Sequence, residues 1–240
     1  MTHERRRFFF NLLFPTLFVG LMWVVQIASS YLHLNLQGLG IFPRSIHGLP
    51  GILAAPLIHG SWEHLLSNSL PLIVLGTLMF YFYRGIAFKI FFWVYFMTGL
   101  WVWAGARGGN AYHIGASGLI YGFVSFLFFA GIFRKDPRLL QISLLILLFY
   151  NGLVWGVFPL VDNISWESHL LGSLAGIVCA WFFRAEGPER KKYSWETEPE
   201  DDDDSDDENP EEDGSGKHTP KAVESPVEVH YIYLPGEKKK

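Results

Sequence analysis

Residues 115–135 read GASGLIYGFVSFLFFAGIFRK. From Gly118 to Phe133 the run carries no charge, and the basic pair Arg134-Lys135 ends it. As a helix it rises about 24 Å at 1.5 Å per residue, less than a hydrocarbon core about 30 Å thick. A foot held at one interface by Arg134 and Lys135 leaves Ser117, at the head, several ångströms below the other. The segment before it, with Gly105, Gly108, Gly109 and Gly115, must dip inward to reach that head. Non-helical backbone at such depth is tolerated only where protein or a water-filled cavity surrounds it. A polar pit open to one side is the expectation.

Outward from this run, five more apolar stretches approach spanning length, giving six in all: about 8–28, 64–83, 86–104, 117–133, 139–158 and 168–184. None contains Asp or Glu. The fold class expected is an all-α membrane protein, a bundle of six transmembrane helices. Arg5-Arg6-Arg7 resembles the n-region of a signal peptide, but the apolar stretch is too long for an h-region and more spans follow, so an anchor that stays is expected. Lys and Arg in short loops set direction. Twelve fall on one side (Arg5, Arg84, Arg134 and Arg184 among them) and two, Arg44 and Arg107, on the other. Both termini are therefore expected in the cytoplasm, in a multi-pass membrane protein. His64, Asn68, Ser117 and His169 then share the outer end of three helices.

The overall net charge of −4 describes no part of the chain. Residues 1–195 hold 14 basic and 7 acidic residues, a net of +7, while residues 196–240 hold 5 and 16, a net of −11. This split excludes a single soluble globule, a collagen-like fibre and a disulfide scaffold; Cys179 is the only cysteine. Two parts are read: a membrane domain over 1–192, and an acidic tail over 193–240 expected to be disordered and cytoplasmic. Alternation at Val227, Val229 and Tyr231 gives a weaker reading of a short docking segment.

Three polar constellations carry the functional reading. Ser117 lies between small residues at a helix start. That is an ordinary N-cap and packing pattern, or a nucleophile kept open to a peptide carbonyl beside free backbone N–H groups. His169, Gly172 and Gly176 share one helical face. They form either a plain packing seam or a histidine pressed onto the helix that fills the Gly-x-x-x-Gly notch. If that helix is the one headed by Ser117, the serine gains an adjacent base. Tyr121 lies one turn below Ser117 and is placed to stack on the imidazole. His64 and Asn68, four apart, offer an interhelical hydrogen bond or a pair of donors for an oxyanion. Polar groups inside spans are costly to bury, which favours a functional reading of the His64–Asn68 pair; the serine and the His169 face stay open to either reading on their own.

The order His64-x-x-x-Asn68, then Gly115-x-Ser117-Gly118, then His169-x-x-Gly172-x-x-x-Gly176, on spans two, four and six, resembles the rhomboid family of intramembrane serine proteases. His59-Gly-Ser-Trp-Glu-His64 is similar to the family's entry to span two, and Ser117-Gly-x-x-Tyr121 to its nucleophile and stacking tyrosine. The resemblance covers roughly 10–184. It implies a serine endopeptidase with Ser117 as nucleophile and His169 as base. Asn68, His64 and the Ser117 N–H would form the oxyanion hole, and the substrates would be single-span membrane proteins cut near their outer end. It also implies, by analogy, an aromatic gate on span five from Phe149, Tyr150 and Trp155. The Trp-Arg pair that many bacterial members carry after span one is absent, so its membrane docking is not carried over.

Other readings fit less well. A zinc protease needs His-Glu-x-x-His, whereas Glu63-His64 has the reverse order. An aspartyl protease needs membrane aspartates. A transporter usually shows internal repeats. A non-catalytic rhomboid-like protein that binds membrane clients typically lacks the serine or the histidine, and both are present. No metal, no cofactor and no nucleic-acid partner is expected; the lipid bilayer is.

Overall fold

The computed structural model describes residues 3–107, 112–149, 155–159 and 165–187. Contacts divide the chain into Met1–Lys192 and Tyr193–Lys240. The expectation of a disordered tail falls on the second part, which lies outside the described residues.

Among the described residues the fold is all-helical, with no strand. Six helices have thirteen or more residues: α1 His3–Tyr31, α2 Trp62–Phe82, α3 Ala87–Gly105, α4 Ser117–Phe133, α5 Pro137–Phe149 and α6 Trp166–Phe182. Among the described residues three stretches are long and apolar enough to cross a membrane, Phe8–Tyr31, Trp62–Phe82 and Ala87–Gly105. Ser117–Phe133 is apolar but shorter.

Helix α4 is the centre. It packs against α2, α3, α5 and, most extensively, α6. Glycine decides how closely. A Cβ on Gly172 would overlap the Gly118 carbonyl, and one on Gly176 the Gly122 carbonyl, so α4 and α6 meet backbone to backbone through the Gly-x-x-x-Gly face. Phe123, Phe126 and Leu127 fill the interior below with Leu75, Met79, Ile90 and Val94. Helix α1 packs on α2 at the periphery. Pro15 sits over Gly76, the Trp23 indole donates to Ser69 Oγ at 3.0 Å, and Phe14 meets Phe80, Phe88 and Phe91.

The connection from α1 to α2 is not a plain loop. It folds as helical turns at Gln37–Leu39, Ile46–Gly48, Gly51–Ala54 and Ala55–Leu57. Arg44, left-handed at φ 58, donates its N–H to the Trp103 carbonyl at 2.8 Å. The Trp103 indole returns a bond to the Ser45 carbonyl at 2.8 Å. These bonds seat the connection on the C-terminal end of α3. The segment before α4 is held to it through the paired backbones of Ile41 and His113 and through Gly115 N–H donating to the Ala55 carbonyl at 2.8 Å.

Candidate active site

Ser117 opens α4, and His169 lies in the first turn of α6. The glycine-lined approach of these helices brings the two side chains together. His169 Nε2 stands 2.8 Å from Ser117 Oγ. The other ring nitrogen, Nδ1, lies 2.8 Å from the Gly156 carbonyl oxygen. A carbonyl only accepts, so Nδ1 carries the proton and donates, and Nε2 presents a lone pair to the serine hydroxyl. Tyr121, one turn along α4, stacks on the imidazole at 4.2 Å between centroids and 12° between planes. The ring is thus held at both edges and on one face. His169 is buried, 8% exposed, whereas Ser117 is half-buried and reachable.

His169 therefore has an orienting partner although no carboxylate contributes one. Sequence reasoning did not find Gly156. Every residue has a carbonyl, so no residue type marks the one that will face a histidine.

His64 and Asn68 reach the same end from α2. Ser61 caps that helix, its Oγ accepting from the His64 N–H at 3.1 Å. The imidazole of His64 lies against Gly115, where a Cβ would meet its Cε1 at 2.6 Å and Nε2 at 2.7 Å. Gly115 also has φ +102. Only glycine tolerates both that backbone and that proximity, two residues before the serine. Asn68, buried at 3% exposure, donates one amide hydrogen back to the His64 carbonyl at 2.8 Å. An amide group has two donors, and one is already engaged within the helix. Ala116 makes no side-chain cap, and the first N–H groups of a helix have no intrahelical acceptor. The Ser117 N–H joins the available donors on that basis.

His59 is buried, 5% exposed, and meets His64 edge-on at 4.9 Å. Burial, with the neighbouring His64, pushes its pKa down to about 4, so the ring is neutral. His113, before α4, shares a hydrogen bond with Ser165 at the start of α6. Of the expected aromatic gate, Trp155 is exposed and meets Phe158 at 6.4 Å; the Phe149 side chain and Tyr150 lie outside the described residues. Among the described residues no group of three His, Cys, Asp or Glu is placed to hold a metal.

The profile of the Rhomboid domain family matches residues 48–186. The uncharacterised proteins Rv1337 of Mycobacterium tuberculosis and Mb1372 of Mycobacterium bovis are each 36% identical over 185 residues, covering 72% of this chain and 75% of theirs. The uncharacterised protein ML1171 of Mycobacterium leprae is 33% identical over 181 residues, 72% of this chain and 71% of its own.

Proposed function

The chain belongs to the rhomboid family of intramembrane proteases, and on that premise we propose that it is a serine endopeptidase cutting single-span membrane proteins within the bilayer, near the outer end of their helices. The observation that carries this is the 2.8 Å approach of His169 Nε2 to Ser117 Oγ with the opposite nitrogen committed to a carbonyl.

In this reading Ser117 gives its proton to His169 Nε2 as Oγ attacks the scissile carbonyl carbon. Negative charge develops on the former carbonyl oxygen. The Ser117 N–H, the free amide hydrogen of Asn68 and His64 receive it; donors aimed at the developing charge are the usual source of rate in acyl transfer. The imidazolium keeps its Nδ1–H bond to the Gly156 carbonyl, which favours the charged ring as it forms. Collapse breaks the C–N bond, His169 returns its proton to the leaving amine, and water clears the acyl-enzyme by the same route. A substrate helix hides its carbonyls in i→i−4 bonds, so it must unwind before cleavage. Gly115, Ala116 and Gly118 let His64 and helix α6 close around the serine, and Ser117 itself stays half-buried, where an unwound backbone can reach it.

The same reading places six spans in the inner membrane with both termini cytoplasmic. It treats 1–192 as the catalytic domain and 193–240 as a tail that the chemistry does not need.

The test is cleavage of a model single-span substrate by the purified chain in detergent or liposomes. Ser117→Ala and His169→Ala are each expected to abolish it, a loss on the order of 10⁶ in soluble serine proteases, with thermal unfolding unchanged. A wild-type chain that binds the substrate and leaves it uncut, or a Ser117→Ala variant that still cuts, sinks the reading.

A further inference from the structure

Ser165 stands at the N-cap of α6, yet its side chain makes no cap bond. Serine at this position ordinarily accepts from a backbone N–H of its own helix. Here the hydroxyl is spent elsewhere. It bonds His113 Nδ1 and lies 2.6 Å from Ser168 Oγ, and Ser168 Oγ is itself 3.5 Å from the same ring nitrogen. Two serines of α6 thus converge on one edge of a histidine that belongs to the segment leading into α4.

The spacing gives this cluster its meaning. His113 is four residues before Ser117, and Ser165 is four residues before His169. Both pairs are 52 residues apart in the chain. The His113–Ser165 contact is a second rung between the strands of chain that the dyad joins. The backbone around His113 is anchored already. Its N–H and C=O pair with Ile41 at 2.9 and 3.0 Å, and Gly115 N–H bonds the Ala55 carbonyl at 2.8 Å. Those bonds fix the segment to residues 41–55 and leave its position relative to α6 open. Below the dyad, the Gly118–Gly172 contact sets the helix separation. Above it, the His113 side chain ties the serine's approach segment to the start of the histidine's helix. A further link, Arg107 over the Trp166 ring at 5.5 Å, starts on the far side of residues 108–111.

We infer that His113 is a positioning residue for the dyad: through Nδ1 it locks Ser165 and Ser168 and so holds Ser117 Oγ in register with His169 Nε2. This rests on the proposed serine-protease reading. His113 is half-buried. Burial lowers its pKa, with Glu167 opposing, so the ring is neutral and suited to share hydrogen bonds with hydroxyls. Register matters because a displacement of about 1 Å in a catalytic constellation costs roughly 10²-fold in rate.

The experiment uses the purified full-length chain in detergent. It measures the rate at which a fluorophosphonate probe labels Ser117, together with kcat and KM on a model single-span substrate. His113→Ala should slow labelling and kcat roughly 10–10²-fold while KM stays within about twofold. His113→Asn should restore most of both, because its amide occupies the place of Nδ1. His113→Gln, whose amide reaches the place of Nε2, should not. Ser165→Ala combined with Ser168→Ala should match His113→Ala, and adding His113→Ala to that pair should cost nothing more. The serine pair carries the same expectation should His113→Ala fail to fold. Wild-type labelling rates in His113→Ala or in the serine pair overturn the inference. So does a loss that His113→Asn fails to restore and that runs parallel to a fall in Tm. If the wild type neither labels nor cleaves, the protease reading fails and takes this with it; a reactive wild type with an equally reactive His113→Ala overturns this inference alone.

Discussion

Helix α4 buries eleven of its seventeen residues, while α1, with twenty-nine, leaves Phe8, Phe9, Phe10, Leu13, Leu17, Leu21 and Val24 about half exposed. Both are apolar along most of their length, so apolarity does not decide which one becomes the core. Lipid tails are as apolar as leucine, and transferring a leucine from lipid to protein gains little. What differs is bulk. Helix α4 carries Gly118, Gly122, Ala130 and Gly131 on faces that meet other helices, and α6 answers with Gly172 and Gly176. Helix α1 presents phenylalanine and leucine outward. In this protein the interior goes to the helices whose backbones can approach, and the dyad sits at the head of the closest approach.

The sharpest way to break that contrast is Gly176→Leu. Its Cβ would overlap the Gly122 carbonyl, which is backbone and has nowhere to go. We expect a cost of about 3 kcal/mol, seen as low yield of folded protein and an early thermal transition in detergent, with cleavage lost because α6 is displaced. Normal folding and activity would remove the glycine seam as the explanation. Next is Asn68→Ala. Losing one oxyanion donor costs roughly 10²–10³ in rate in soluble precedents; with His64 and the Ser117 N–H still in place, kcat should fall toward the lower end of that range and substrate binding little. Unchanged kcat would mean that the amide serves only its bond to the His64 carbonyl. The smallest effect belongs to Leu17→Ala on the outer face of α1, which should shift stability by no more than about 0.5 kcal/mol and leave cleavage unaltered. A large fall there would show that α1 has a protein partner on that face.

What could be read in the sequence was whatever depends on residue type and helical spacing. Ser117, His169 and Tyr121 carry distinctive chemistry, and Gly172 and Gly176 fall on the face of His169 by the period of the helix alone. The structure places the three side chains in contact and the two glycines on α4. What could not be read lies in the backbone and in the connections. The Gly156 carbonyl that orients His169 has no side-chain signature. The bonds from His113 to Ser165 and Ser168 join two non-periodic segments. The turns of 37–57, built on Pro, Gly and backbone hydrogen bonds, show no periodicity to announce them. Asn68 illustrates the boundary: its position on the face of His64 was legible, but its bond back to the His64 carbonyl was not.

If six helices span the bilayer as proposed, the brevity of α6 has a consequence for the membrane itself. Its seventeen residues give about 26 Å of helix, short of a typical 30 Å hydrocarbon thickness. The shortness of α4 is absorbed by surrounding protein. Helix α6, however, turns Leu174, Val178, Trp181 and Phe182 outward, so in the proposed arrangement lipid meets it directly. Hydrophobic mismatch costs a fraction of a kcal/mol per ångström and is relieved by local thinning of the bilayer. Along α6 the acyl chains must shorten or tilt, while along α1 they need not. On the proposed six-span reading the protein deforms its membrane on one flank, and short-chain lipid suits the flank that carries His169 better than long-chain lipid does.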